Sequence, residues 1–269
     1  MTHTSARSRD IVLAIVLGLG TFMLLMGASM GLVFLNARVS PEYAWFPLPA
    51  FALVLGFSVF AERRWRIGLS HPAGVPWPRV YFLAFTTTVV GICVAILQGA
   101  SFGLVREIEL GPEGTSEQFR FAFAFALPVI AAILAEVCFR GVMQGRLHAV
   151  LSPLAAIAMV TVINTAAHRW TPETAAQWAG YAALLAGCGY VRWLGGSVLP
   201  ALAAHFWQNL ALAWLLYFHG PFALGDLSAS RQAMVGVIGL AALGITIAIG
   251  RDTPAFKGAQ YGAGRSQAR

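Results

Sequence analysis

The chain has 269 residues, of which 58% are hydrophobic and only 11% are charged, and its mean hydropathy is +0.71. Soluble domains carry about 25% charged residues, so this composition excludes a soluble protein and indicates a polytopic membrane protein. The net charge of +7 does not indicate nucleic-acid binding, because the basic residues lie at the ends of apolar runs, as positive-inside topology requires.

Apolar runs recur along the whole chain and predict an all-α protein with about eight transmembrane helices in one bundle. The first run, 11–35, is too long for a signal-peptide core of about 7–15 residues, so we expect it to be retained. The polar residues 1–10 are predicted as an N-terminal tail, residues 11–250 as the transmembrane domain and residues 251–269 as a disordered tail. The remaining spans are predicted at 44–60, 81–105, 119–146, 153–168, 177–194, 197–219 and 234–249.

The distribution of basic residues predicts the orientation in the membrane. With eight spans both termini lie on one side, and segments on that side contain Arg7, Arg9, Arg63, Arg64, Arg66, Arg79, Arg146, Arg192, Arg251, Lys257, Arg265 and Arg269. The opposite loops contain Arg38, Arg106, Arg120, Arg169 and Arg231. Because basic residues are more frequent on the side of the termini, we expect both termini to lie in the cytoplasm. The scarcity of lysine, whose codons are AT-rich, favours a GC-rich bacterial genome, and therefore a bacterial inner membrane.

Two charged residues, Glu136 and Arg140, lie inside the fourth predicted span, which also contains Pro128. A charged side chain at the centre of a membrane helix costs about 2.5–3.5 kcal/mol on insertion scales, so an intramembrane carboxylate is a candidate functional residue. Residues four apart share a helix face, and the two charges can therefore neutralise each other. Glu136 is accordingly either a functional acid or a structural counter-ion for Arg140.

Further polar residues at membrane depth occur in the fifth and seventh spans. Asn164 and His168 lie near the end of the fifth span, and His205 and Asn209 stand four residues apart in the seventh. If these spans pack together, a carboxylate and a histidine can take a proton from water. The second imidazole and an amide can then donate hydrogen bonds to an oxyanion. This set of residues is typical of a hydrolase, although each alone is equally compatible with an interfacial or structural role.

The order of these motifs resembles that of the CPBP intramembrane proteases, which include the CAAX prenyl endopeptidases and bacterial Abi-type and bacteriocin-immunity proteins. The family pattern is Glu-Glu-x-x-x-Arg, then Phe-x-x-x-His, then His-x-x-x-Asn, each on its own span. The matching segments, within about 119–216, are Ala135-Glu136-Val-Cys-Phe-Arg140-Gly, Asn164-Thr-Ala-Ala-His168 and His205-Phe-Trp-Gln-Asn209.

The resemblance implies an intramembrane endopeptidase that uses water activation and requires no cofactor. Its substrate would be a peptide or protein in or at the lipid bilayer. By the family pattern, Glu136 and His168 would activate water, and His205 and Asn209 would hold the oxyanion. Arg140 and Asn164 would support the site.

The chain departs from the family pattern at two positions. Ala135 replaces the first glutamate, the usual base, and Asn164 replaces a phenylalanine. Neighbouring positions on a helix point about 100° apart, so Glu136 does not simply take the direction of Ala135. Catalysis by Glu136 would require a rotated or kinked fourth span.

Three alternatives remain open at the level of sequence. A catalytically inactive relative would keep the pairing of Glu136 with Arg140 and act as a peptide- or protein-binding scaffold. A transporter would use a polar path through Glu136, although the internal repeats found in many transporters are missing. Glu136, His168 and His205 with water would also suffice for an open zinc site.

Overall fold

The computed structural model describes residues 3–106, 111–168 and 171–255, so residues 256–269 of the predicted C-terminal tail lie outside the described part. Two two-residue strands, β1 (Val105–Arg106) and β2 (Phe222–Ala223), pair antiparallel and join two loops. All other regular structure in the described residues is helical. The helices are α1 (His3–Val39), α2 (Pro47–Trp65), α3 (Trp77–Ser101), α4 (Glu117–Ala135), a π-helix (Glu136–Gln144), α5 (Gly145–Leu147), α6 (Pro153–Ala166), α7 (Pro172–Ala175), α8 (Trp178–Gly195), α9 (Leu199–His219), a 3₁₀ turn (Leu224–Asp226) and α10 (Ala229–Asp252).

The all-α fold class is confirmed, and each of the eight predicted spans coincides with a helical segment, of which α6 is the shortest at 14 residues. Within the described residues, four helices are long and apolar enough to cross a membrane: Arg7–Val39, Trp77–Ser101, Glu117–Leu147 and Ala229–Asp252. The protein is therefore a multi-pass membrane protein, and the number of eight spans stays a prediction.

The N-terminal segment differs from the expected polar tail, because α1 already begins at His3. Residues 3–10 contain no proline or glycine, so nothing in this stretch interrupts a helix that continues into the apolar run. The expected tail is polar in sequence but helical from residue 3.

Serine caps set the start of several helices. The Ser116 hydroxyl accepts a hydrogen bond from the backbone N–H of Phe119 at 3.1 Å and thereby satisfies one free donor of α4. Ser152 and Ser228 cap α6 and α10 in the same way. At the other end of α8, Gly196 adopts a left-handed conformation with φ of 68°, which ends that helix and allows the turn into α9.

Helix α8 lies at the centre of the bundle and packs against α3, α6, α9 and the π-helix. Its glycines Gly180 and Gly187 approach α3 so closely that a Cβ would collide with Ala95 and Thr87. Helix α10 packs mainly against α3. The central position of α8 brings it into direct contact with the buried charges of the fourth span.

The continuous segment formed by α4, the π-helix and α5 has two different faces. One face contributes Ala135, Phe139, Met143 and Leu147 to an apolar cluster with residues of α1 and α6. The other face contains Glu136, Arg140 and Gln144, all with 0% of their surface exposed. The fold therefore places a row of polar side chains in the interior of the bundle.

Candidate active site

The π-helix Glu136–Gln144 has nine residues, and all of them are buried. Its hydrogen bonds join residues five apart, which widens the turn and changes the helical register after α4. Such π segments are rare and occur frequently at functional sites. The register of the fourth span thus changes at the position of its buried carboxylate.

Glu136 connects the π-helix to α9. Its Oε1 lies 2.9 Å from Nδ1 of His205, and its Oε2 lies 3.6 Å from Nε of Arg140. The thiol of Cys188 on α8 is also beside the carboxylate. Glu136 therefore faces both the arginine, as a counter-ion would, and a candidate catalytic imidazole.

Arg140 and Gln144 hold the π-helix against α8. Nη2 of Arg140 donates to the carbonyl of Leu185 at 2.8 Å, and Nε2 of Gln144 donates to the carbonyl of Gly189 at 2.8 Å. The two donor residues are four apart in the sequence, and so are the two acceptor residues. The two hydrogen bonds therefore form successive rungs between the π-helix and α8, which run in the same direction. These rungs fix the direction in which Glu136 points.

His168 follows α6 by two residues and is fixed by its own backbone. Its Nδ1 lies 2.8 Å from the carbonyl oxygen of Asn164, and its ring lies 5.1 Å from that of Tyr181 on α8. A carbonyl only accepts hydrogen bonds, so Nδ1 carries the proton and Nε2 keeps its lone pair. His168 lies within electrostatic range of His205 and Arg140 but makes no direct contact with Glu136 among the described contacts.

The two amide residues of the site have different surroundings. Asn209 is half-buried, and its Nδ2 donates to the carbonyl of Pro128 on α4 at 2.9 Å. Asn164 is 1% exposed, and its side-chain Nδ2 has no hydrogen-bond partner in the described part of the chain. Asn209 thus joins α9 to α4, while Asn164 presents an unpaired donor to the interior.

Residues 117–211 match a protein-family model described as Type II CAAX prenyl endopeptidase Rce1-like. This part of the chain is thus similar to the CAAX-type membrane proteases of the CPBP family. The match contains all three motifs identified in the sequence and confirms the resemblance. No curated protein and no solved structure matches the chain.

The segment that matches the family model lacks a carboxylate in the direction of Ala135. Ala135 is 5% exposed and packs in the apolar cluster with Ala14, Ala156 and Val160. Glu136, the next residue, points instead toward α8 and α9. The change of register at Glu136 does not turn the carboxylate into the position that Ala135 occupies.

The zinc site considered from the sequence requires Glu136, His168 and His205 to converge on one ion. Within the described residues, no group of three or more His, Cys, Asp or Glu side chains has an arrangement that would hold a metal.

Sequence reasoning missed several residues that shape the candidate site. Gln144 and His148 continue the four-residue spacing of Glu136 and Arg140, and Nε2 of His148 lies 3.0 Å from Nε2 of Gln144. This spacing is visible in the sequence and signals a polar face. Cys188 gave no such signal, because a cysteine in an apolar run is typical of a packed core.

Proposed function

We propose that this protein is an intramembrane endopeptidase that hydrolyses a peptide bond of a membrane-associated peptide or protein, with an imidazole taking the proton from water. The match of residues 117–211 to the family model supports a CAAX-type membrane protease in general terms. The observation that carries the assignment is the contact of 2.9 Å between Glu136 Oε1 and His205 Nδ1.

This contact assigns the roles of the two residues. A carboxylate only accepts hydrogen bonds, so Nδ1 of His205 donates and its Nε2 retains the lone pair. A carboxylate behind an imidazole fixes the tautomer and stabilises the imidazolium that forms when the ring takes a proton. Glu136 is then a positioning residue that acts through His205, rather than the base itself.

His168 provides a second imidazole in the same tautomer as His205, since its Nδ1 donates to the carbonyl of Asn164 and its Nε2 keeps the lone pair. One of the two rings can take the proton of the attacking water and, as the resulting imidazolium, return that proton to the leaving amine. The other ring stays neutral and can accept a hydrogen bond from the same water through its Nε2. Asn209 adds an amide donor on α9, one turn from His205. The mechanism requires no metal ion.

The assignment is tested by cleavage of a membrane-peptide library with purified protein in lipid. We expect His168→Ala and His205→Ala to abolish cleavage, because each removes an imidazole, and Glu136→Gln to reduce it strongly. His219→Ala is the matched control, because His219 is exposed at the end of the same helix α9. A chelator should have no effect. Full activity in His205→Ala, or loss of activity with the chelator, would contradict the proposal.

A second candidate function is favoured by Ala135. Its place in a closed apolar cluster leaves no acid where the family pattern has its first glutamate. An inactive relative would keep Glu136 and Arg140 as a structural pair and bind a peptide or protein without cleaving it. In that case the wild-type protein retains library peptides uncleaved, and the His168 and His205 variants bind them equally well.

A further inference from the structure

The strand β1 has a free edge on the side that faces away from β2. Val105 of β1 pairs with Ala223 of β2, and the N–H of Leu224 donates to the carbonyl of Leu104 at 2.7 Å. Along an antiparallel ladder, residues that hydrogen-bond to the partner strand alternate with residues that do not. Because Leu104 bonds to β2, the N–H and C=O of Val105 point away from it. Within the described residues, neither of these two groups has a hydrogen-bond partner.

An open cavity of about 550 Å³ lies beside this edge. Its described lining comes from two segments, one around the start of β1 and one around α7. The first segment is 102–105, and the second contributes Pro172, Ala175 and Ala176. Residues of β2 are not among the described lining residues, so the cavity lies on the free side of β1. The two segments are joined by an apolar cluster in which Leu104 and Ala176 pack with Leu224.

The cavity presents apolar side chains and backbone polar groups, and its described lining contains no polar side chain. Phe102 and Val105 are 68% and 45% exposed, so apolar surface is available for a ligand. A small-molecule site normally places a few polar side chains among apolar ones. Strand addition instead uses main-chain hydrogen bonds for affinity and apolar surfaces for alternate side chains of the ligand. The lining therefore fits an extended polypeptide segment with apolar side chains.

The cavity also lies close to the candidate active site. Pro172 follows His168 by four residues, and an extended chain of that length spans at most about 14 Å. A peptide in the strand conformation advances by about 3.3 Å per residue, so about four of its residues cover this distance. His168 is itself only partly buried. A segment held at β1 can therefore extend to the imidazole of His168.

We propose that the free edge of β1 and the facing helix α7 bind an extended apolar segment of the peptide or protein substrate. The segment adds a third strand to the sheet, exchanging hydrogen bonds with the N–H and C=O of Val105. That this segment belongs to the substrate rests on the proposed function, whereas the capacity to bind it follows from the free strand edge.

Hydrogen–deuterium exchange of the wild-type protein in lipid nanodiscs tests the site directly. The probe is a pool of random-sequence peptides rich in apolar residues, added in excess so that the site stays occupied. We expect the pool to slow exchange of the Val105 amide several-fold, because that N–H gains a partner. The amide of Leu104 is the internal control, because it already donates to the carbonyl of Gly99 at 2.9 Å and should exchange slowly throughout.

Two substitutions at Val105 separate the backbone from the side chain. Val105→Pro removes the N–H, and proline is tolerated on an edge strand where that group faces away from the sheet. It should weaken binding of the fluorescently labelled pool by about five- to tenfold, as expected for one lost hydrogen bond. Val105→Thr is the matched control, because it keeps both the N–H and the branched shape. That variant should bind the pool as the wild-type protein does.

Unchanged exchange of the Val105 amide in the presence of the pool would overturn the proposal, and this result does not depend on any variant folding. Equal binding by Val105→Pro and Val105→Thr would also overturn it. Peptide cleavage measured on the same samples separates the two proposals. Protection of Val105 without any cleavage contradicts only the endopeptidase, and cleavage with an unprotected Val105 contradicts only the binding site at β1.

Discussion

Replacing Glu136 by glutamine should strongly destabilise the protein, even though the two side chains have nearly the same shape. Glu136 and Arg140 both have 0% of their surface exposed, and Glu136 is the acidic group in contact with the arginine. Glutamine leaves no cavity, so the cost comes from electrostatics. The guanidinium would remain buried with the carbonyl of Leu185 as its neutral partner.

The magnitude follows from the burial of the pair. Removing one partner of a buried ion pair costs about 3–5 kcal/mol, because the remaining charge is uncompensated. Replacing both partners by uncharged residues is often close to neutral. We therefore expect Glu136→Gln to lose about 3–5 kcal/mol of the free energy of unfolding. The double variant Glu136→Gln/Arg140→Met should recover most of that loss.

The measurement is reversible unfolding in mixed detergent micelles, followed by the fluorescence of the eight tryptophans. Glu62→Gln is the matched control, because Glu62 accepts hydrogen bonds from the N–H groups of Gly68 and Leu69 at 2.8 and 3.0 Å and glutamine keeps an acceptor there. That control should lose less than about 1 kcal/mol. A similarly small loss in Glu136→Gln, or a double variant no more stable than the single one, would refute the reasoning.

Three further predictions concern the surroundings of the site. Gly189→Ala should lower stability by about 1–3 kcal/mol in the same unfolding assay, because its Cβ would press on Gln144 Oε1 at 3.2 Å. Burial, together with the charge of Arg192, lowers the pKa of His148 to about 4, so the unfolded chain binds a proton more readily between pH 6.5 and 4. The melting temperature should therefore fall as the pH is lowered through that range, and His148→Gln should reduce the fall. Ala135→Glu should destabilise the protein by about 2.5–3.5 kcal/mol, because it inserts a carboxylate into an apolar cluster. Unchanged stability in Ala135→Glu would show that the cluster is open to water.

The sequence alone determined the membrane class, the helical fold and the existence of a polar site. These features are local: an apolar run of sufficient length specifies a helix, and a serine before it specifies where the helix begins. The motifs around Glu136, His168 and His205 were likewise visible as charged and polar residues in apolar surroundings, where such residues are costly.

Only the tertiary structure decided what each polar residue contacts. The sequence placed Glu136 beside Arg140 but left open whether Glu136 also faces a candidate catalytic residue. In the structure, Oε2 of Glu136 faces Arg140, and the packing of α9 brings His205 to Oε1. The hydrogen bonds from the π-helix side chains to the carbonyls of Leu185 and Gly189 could not be predicted from the sequence. Every residue has a carbonyl, and only the position of α8 determines which two lie within reach. The π-helix also could not be foreseen, since its register depends on how α1, α6 and α8 pack around it rather than on a local residue pattern.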